Sequence, residues 1–192
     1  MHDLRRIRYV AGHYEQLQGL RLLPLCAPFL VAAGRRLAGA APIPWRIWAV
    51  IAAASLAATL PIGRWYTRRF GRVHRDLWRS GAGPLVGAVA VALGLLRLQE
   101  VLSPTVSLPL LFLAAVFARL GLAGGRARVH YAAIAAAVAA YALLPAAGVP
   151  PDALAVTGHL LAAGCIAVAA IGDHRVLRRT MAPQKIQHWE VA

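Results

Sequence analysis

Long apolar runs separated by short polar connections are the dominant pattern along this chain. A helix needs about 20 mostly apolar residues to cross a bilayer, and six segments approach that length. They predict membrane spans at about 19–34, 46–63, 83–101, 106–123, 129–148 and 153–172. Residues 102–105 and 149–152 form connections so short that the spans they join should be antiparallel neighbours. The pattern predicts an all-α, polytopic membrane protein with a single membrane domain over 1–192.

The first span is the shortest, because its uninterrupted apolar run covers only residues 22–34. Pro24 and Pro28 should kink or interrupt its helix, since proline lacks a backbone donor. A cleaved signal peptide is the alternative interpretation of this segment. Arg35 and Arg36 follow the run, where a cleavage site needs small neutral residues, and this favours a span.

Composition supports the membrane class and excludes several others. Hydrophobic residues make up 59% of the chain and charged residues 15%, against about 45–50% and about 25% in soluble domains. A chain of 192 residues has too small an interior to bury that surplus. The same apolar content excludes a disordered chain. Two cysteines are too few for a disulfide scaffold.

The basic residues predict how the spans are oriented. Lysine and arginine number 21 against 7 acidic residues, a net charge of +14. Most of them lie before the first span, in 64–79, and after the fourth and sixth spans, all of which are on one side of the membrane. The loops on the other side contain three basic residues, Arg35, Arg36 and Arg46. By the positive-inside rule, both termini and the tail 173–192 are cytoplasmic. The abundance of arginine and alanine is typical of GC-rich bacteria, so we expect the bacterial inner membrane.

The segment 3–18 is predicted to form an amphipathic helix before the first span. Its apolar residues recur at helical spacing, and arginines occupy the other side. Such a helix usually lies in the plane of the lipid headgroups. A docking helix for a protein partner is the alternative.

The segment 64–79 interleaves six arginines with aromatic residues. Arginine pairs with phosphate oxygens, and aromatic rings favour the membrane interface. We therefore predict a cytoplasmic loop that contacts anionic lipid headgroups, with a specific acidic lipid or an acidic protein as the alternative partner. Nucleic acid is not expected, because no nucleic-acid-binding motif accompanies the charge. The candidate lipid contacts are Arg64, Trp65, Arg68, Arg69, Arg72, Arg75, Trp78 and Arg79.

Four polar residues near the opposite side are candidates for an outward-facing pocket. Arg97 and Glu100 end the third span at a spacing that lets them pair on one helix face. Asp152 begins the sixth span, where it can cap the helix or interact with its dipole. His159 lies about two turns further in, and intramembrane polar groups often mark functional sites. The alternative is purely structural: an interfacial ion pair, a cap and a hydrogen-bonded histidine.

No metal, cofactor or catalytic set is predicted. Asp173 and His174 follow the sixth span and His130 begins the fifth, but none has a tight ligand spacing. Cys26 and Cys165 fall within spans and should be buried apolar groups. The chain has no serine-hydrolase, zinc-protease or nucleotide-binding motif.

Small residues should bring helices into contact inside the membrane. Gly83 and Gly87 form a GxxxG pair, and Gly158 belongs to a small-residue patch of the sixth span. A second pair, Gly121 and Gly125, falls near a span end, where the general abundance of small residues explains it.

The functional prediction is a non-enzymatic membrane subunit or scaffold that packs against a protein partner or a second copy of itself. The alternative is a small-solute carrier or substrate-binding membrane subunit that uses the outward-facing pocket. A lipid-modifying enzyme is the least favoured class, because no catalytic residues can be assembled for it. The sequence carries no motif that assigns the chain to a family.

Overall fold

The computed structural model describes residues 17–41, 43–70, 82–102, 105–124 and 129–181, and every regular element in these ranges is helical. The predicted all-α class is therefore confirmed over the described chain. The elements are a 3₁₀-helix at Gly19–Leu25, α1 at Cys26–Leu37, α2 at Trp45–Phe70, α3 at Ala82–Leu102, α4 at Leu108–Gly124, α5 at Val129–Leu143, a second 3₁₀-helix at Leu144–Ala147, and α6 at Pro151–Met181.

Three of the described helical segments are long and apolar enough to cross a membrane. They are Trp45–Phe70, His130–Ala147 and Pro151–Arg179. Shorter apolar helical stretches cover Val86–Gln99 and Leu108–Leu122. The structure thus agrees with a membrane protein, while three of the six predicted spans meet the length requirement in the described residues. Residues 3–16 of the predicted interfacial helix lie outside the described part of the chain.

The first predicted span is divided into two helical pieces. The 3₁₀-helix contains Pro24, and α1 begins at Cys26 with Pro28 in its first turn. Proline is tolerated in the first turn of an α-helix because the backbone N–H groups there have no partner within the helix. The position of Pro28 is therefore compatible with a new α-helix that begins at Cys26.

Two helices extend beyond the membrane spans predicted from their apolar runs. Helix α2 continues to Phe70, so that residues 64–70 of the predicted loop are helical. Helix α6 continues to Met181, which places Asp173 and His174 inside a helix and not in a tail. An apolar run marks only the lipid-facing length of a helix, whereas the backbone hydrogen bonds of a helix continue through polar sequence.

Helix α6 lies at the centre of the described bundle. It packs against the first 3₁₀-helix, α1, α4 and α5, while α4 and α5 form the most extensive helix pair. The buried apolar core between these elements includes Phe117, Ala135 and Ile166. Helix α3 lies at the edge of this arrangement, and its main neighbour is α4.

Glycines permit the closest helix contacts. At Gly19 an added Cβ would lie 2.1 Å from the carbonyl oxygen of Ala170, so only glycine fits. Gly121 lies against Tyr131, where an added Cβ would come within 3.3 Å of the tyrosine Cβ. Gly121 therefore lies in the contact between α4 and α5, where a small residue permits close packing.

Candidate functional site

Asp152 is one of the four residues of the predicted outward pocket, and it lies in the first turn of α6. The helix begins one residue earlier, so Asp152 interacts with the helix dipole and is not the N-cap residue. Its Oδ1 lies 3.5 Å from Nη1 of Arg36 at the end of α1. The two side chains are 96% and 57% exposed, so this is a solvent-accessible ion pair.

His159 is half-buried on α6, and its contacts are local. Its Nδ1 donates to the backbone carbonyl of Ala155 one turn earlier. Its ring centroid lies 6.5 Å from that of Phe29 on α1. These contacts match the structural alternative of a hydrogen-bonded histidine.

Arg97 and Glu100 lie on α3, at the edge of the bundle. Arg97 is exposed, and the side chain of Glu100 lies outside the described part of the chain. The neighbouring Gln99 accepts a hydrogen bond from the backbone N–H of Leu108 at 3.0 Å, which holds α3 to the start of α4. A shared pocket of Arg97, Glu100, Asp152 and His159 stays a prediction.

A buried polar cluster lies at the opposite end of the bundle, and sequence reasoning did not assemble it. We define it as Tyr66 of α2, Tyr131 of α5, and Asp173 and His174 of α6. Tyr66, Tyr131 and Asp173 are almost completely buried. The hydroxyl of Tyr131 donates to Oδ2 of Asp173 at 2.6 Å, which joins α5 to α6.

The second half of this polar cluster joins three elements. The hydroxyl of Tyr66 lies 2.8 Å from Nδ1 of His174. The same hydroxyl accepts the backbone N–H of Leu20 at 3.3 Å, from the first 3₁₀-helix. One tyrosine therefore connects α2, α6 and the 3₁₀-helix through a single oxygen atom.

Two further polar side chains border the polar cluster. Nη1 of Arg21 donates to Oε1 of Gln18 at 3.3 Å, and the guanidinium packs over Gly63 of α2. The ring of His130 packs over Gly172 of α6. In the part of the chain that the structure describes, Arg21 Nε and His130 Nε2 are buried without a hydrogen-bond partner.

The polar cluster joins helices through hydrogen bonds between their side chains. Buried polar groups in a membrane bundle are stabilised by bonding to one another across helices. Among the described residues, no group of three histidine, cysteine, aspartate or glutamate side chains is placed to hold a metal ion. The two tyrosines were missed because a tyrosine near a span end ordinarily indicates an interface anchor.

The predicted lipid contacts are only partly described. Arg64, Trp65, Arg68 and Arg69 lie exposed on the last turns of α2. Arg72, Arg75, Trp78 and Arg79 lie outside the described residues. The end of α6 adds three exposed arginines that were counted on the cytoplasmic side but not among the candidate lipid contacts, and these are Arg175, Arg178 and Arg179.

Comparison with known proteins adds no functional assignment. No protein-family model, no curated protein and no solved structure matches the chain. The physical features of the described helices are therefore the basis for a functional proposal.

Proposed function

We propose that the chain is a non-enzymatic subunit of the bacterial cytoplasmic membrane that associates with another membrane-spanning helix through the outward face of α3. The observation that carries this proposal is a difference between its glycines. Some glycines lie against neighbouring helices, whereas Gly34 of α1, Gly164 of α6, and Gly87 and Gly94 of α3 face open space. Helix α3 differs from α1 and α6 because two of its described glycines are open and lie on one face.

The covered glycines belong to the packed centre of the bundle. An added Cβ at Gly158 would lie 3.1 Å from the ring of Tyr141, and one at Gly172 would lie 3.3 Å from Nε2 of His130. These positions already serve helix packing within the chain, because the missing side chain lets a neighbouring side chain or backbone come close.

The open glycines of α3 share one helix face. An added Cβ at Gly87 or at Gly94 would meet nothing within 4 Å. The two are seven residues apart, which is about two turns, so both point to the same side. Ala90, Val91 and Leu98 on this side are also exposed. Gly87, Ala90 and Gly94 on this face are small, and small residues let a second helix backbone approach closely in the absence of a hydrophobic driving force.

The six-span arrangement belongs to the same proposal. The first 3₁₀-helix and α1 together have a length of about 32 Å, from the usual rise per residue of each helix type. Helix α3 has a length of about 31 Å by the same measure. Both lengths match the hydrocarbon core of a bilayer, which is about 30 Å thick. Exposed arginines at the ends of α2 and α6 support a cytoplasmic location for that side.

The test co-expresses tagged and untagged copies of the chain and isolates the tagged copy in mild detergent. Gly87→Ile and Gly94→Ile should each reduce recovery of the associated chain by about tenfold, because a branched side chain separates the helix backbones. Gly164→Ile is the matched control, since Gly164 also faces open space but lies on α6. It should leave recovery unchanged.

Quantitative mass spectrometry of the recovered chains measures the association with a second copy or with another membrane protein. A wild-type chain that is monomeric and has no stoichiometric companion would contradict the proposal. Equal losses in the α3 variants and in Gly164→Ile would also contradict it, because the effect would then not belong to α3.

A further inference from the structure

The ends of α2 and α6 meet on one side of the bundle. Tyr66 and His174 are 108 residues apart in sequence, and their side chains are 2.8 Å apart. Leu177 and Tyr66 belong to the same small buried cluster, with Phe70 packed against it. The last turns of the two helices are therefore neighbours, and both carry arginines.

Two of these arginines lie one helical turn beyond a ring contact between the two helices. The ring centroids of Trp65 and His174 are 6.3 Å apart across the two helices. Arg69 lies four residues after Trp65, and Arg178 lies four residues after His174. Residues at this spacing share a helix face, so each arginine lies one turn beyond the ring pair.

The arginine pair lacks compensating charge among the described residues. Arg69 and Arg178 are both exposed, and the structure gives neither an acidic partner within its described ranges. The described acidic side chain at this end, Asp173, is buried and bonded to Tyr131. Positive charges on two adjacent helix ends favour an anion between those ends, and a guanidinium binds phosphate oxygens through two parallel hydrogen bonds.

Apolar surface lies about two turns from the same position, with the exposed Arg175 between them. Ile171 lies seven residues before Arg178, so it occupies the same face of α6 about two turns toward the centre of the helix. Ile171 is 42% exposed and Trp65 is 46% exposed. An aromatic ring beside arginines and next to an exposed apolar face is typical of a membrane interface.

We propose that Arg69 and Arg178, with Trp65 beside them, bind the phosphate of an anionic phospholipid headgroup whose acyl chain lies along Ile171. Basic positions between neighbouring helices on the cytoplasmic side are a known form of headgroup recognition. The inference rests on the proposed membrane location and orientation, and it does not depend on association through α3.

The test reconstitutes the full chain in phosphatidylcholine vesicles with and without phosphatidylglycerol. Native mass spectrometry after detergent extraction measures the phosphatidylglycerol retained per chain. The double variant Arg69→Gln/Arg178→Gln should retain about tenfold less, since two phosphate contacts are removed. The pair Arg69→Lys/Arg178→Lys keeps both charges but loses the two-pronged geometry, and it should retain about threefold less.

The matched control is Arg64→Gln/Arg179→Gln, which removes the same charge from the same two helix ends. Arg64 and Arg179 are each about 100° or more around the helix from Arg69 and Arg178. This control should retain lipid within about twofold of wild type, because it leaves both phosphate contacts in place. Equal losses in the two glutamine pairs would overturn the proposal in favour of a diffuse basic surface.

Two further measurements separate the remaining outcomes. Inorganic phosphate that displaces the retained lipid at equal concentration would show a phosphate site without lipid selectivity, and would overturn the proposal.

Circular dichroism checks that each variant folds. If the glutamine pair does not fold, the lysine pair decides, and retention equal to wild type would then overturn the proposal. Association through α3 should be unchanged in every arginine variant, so failure of this inference is distinguishable from failure of the proposed function.

Discussion

The two ends of the helix bundle differ in the burial of their paired polar side chains. At one end, Tyr131 and Asp173 are almost completely buried and form a hydrogen bond of 2.6 Å between two helices. At the other end, Arg36 and Asp152 form an ion pair of 3.5 Å with both side chains exposed. The first contact has no competition from solvent, whereas the second exchanges readily with water and salt.

Charge alone therefore does not identify the polar contact that contributes most to stability. Exposed ion pairs typically contribute about 0–1 kcal/mol. Removal of one partner from a buried hydrogen bond costs about 1–3 kcal/mol, because the remaining group loses its partner and stays out of water. The end with the hydrogen-bonded tyrosines should therefore contribute more to the free energy of unfolding than the end with the exposed ion pair.

The largest effect is expected at Gly19, beside the polar cluster. Gly19→Ala should lower the free energy of unfolding by about 3 kcal/mol, because the new Cβ would lie 2.1 Å from the carbonyl oxygen of Ala170. Gly34→Ala is the control, since nothing lies within 4 Å of its added Cβ. The control should be neutral or stabilising by up to about 1 kcal/mol. Unfolding in mixed detergent micelles measures both, and similar stability of the two variants would refute the close approach at Gly19.

A smaller effect is expected within the polar cluster. Asp173→Ala should lower the free energy of unfolding by about 2–3 kcal/mol, because the Tyr131 hydroxyl would lose its acceptor. Asp173→Asn retains an acceptor oxygen and should cost about half as much. A double-mutant cycle with Tyr131→Phe should give a coupling energy of about 1–2 kcal/mol, the upper range for interhelical hydrogen bonds in membranes. A coupling energy near zero would show that the bond does not lock the two helices.

The smallest effect is expected at the exposed ion pair. Arg36→Ala and Asp152→Ala should each change the free energy of unfolding by less than about 0.5 kcal/mol, because solvent screens the pair. The same unfolding assay, repeated at high salt, should give no larger difference between variant and wild type. A loss of stability as large as that of Asp173→Ala would contradict the expected difference between the two ends.

Sequence reasoning recovered the helical elements better than the contacts between them. The apolar runs indicated where α2, α3, α4, α5 and α6 lie, because lipid-length apolar segments leave few other folds open. It did not give the ends of α2 and α6, where helix continues into polar sequence. Hydropathy measures contact with lipid, and a helix does not end where lipid ends.

The candidate sites show the same limit. Asp152 was singled out for its place at the start of the sixth span, but its pairing with Arg36 was not predicted, since 116 residues separate them. Tyr66 was noted only as one of the aromatic residues of the segment 64–79, and Tyr131 was not singled out. Nothing local distinguishes a tyrosine that bonds across helices from one that anchors a span at the interface. Only the arrangement of helices brings their hydroxyl groups to His174 and Asp173.

The excess of apolar residues and their grouping into long runs were enough to predict the helical class of the described residues and helices long enough to cross a membrane. These properties depend on local composition and on the need of every backbone group for a hydrogen bond in lipid. The tertiary structure alone decided which polar groups are buried together and which glycines are covered. Those properties depend on contacts between helices that are distant in sequence, and the local sequence pattern does not specify those contacts.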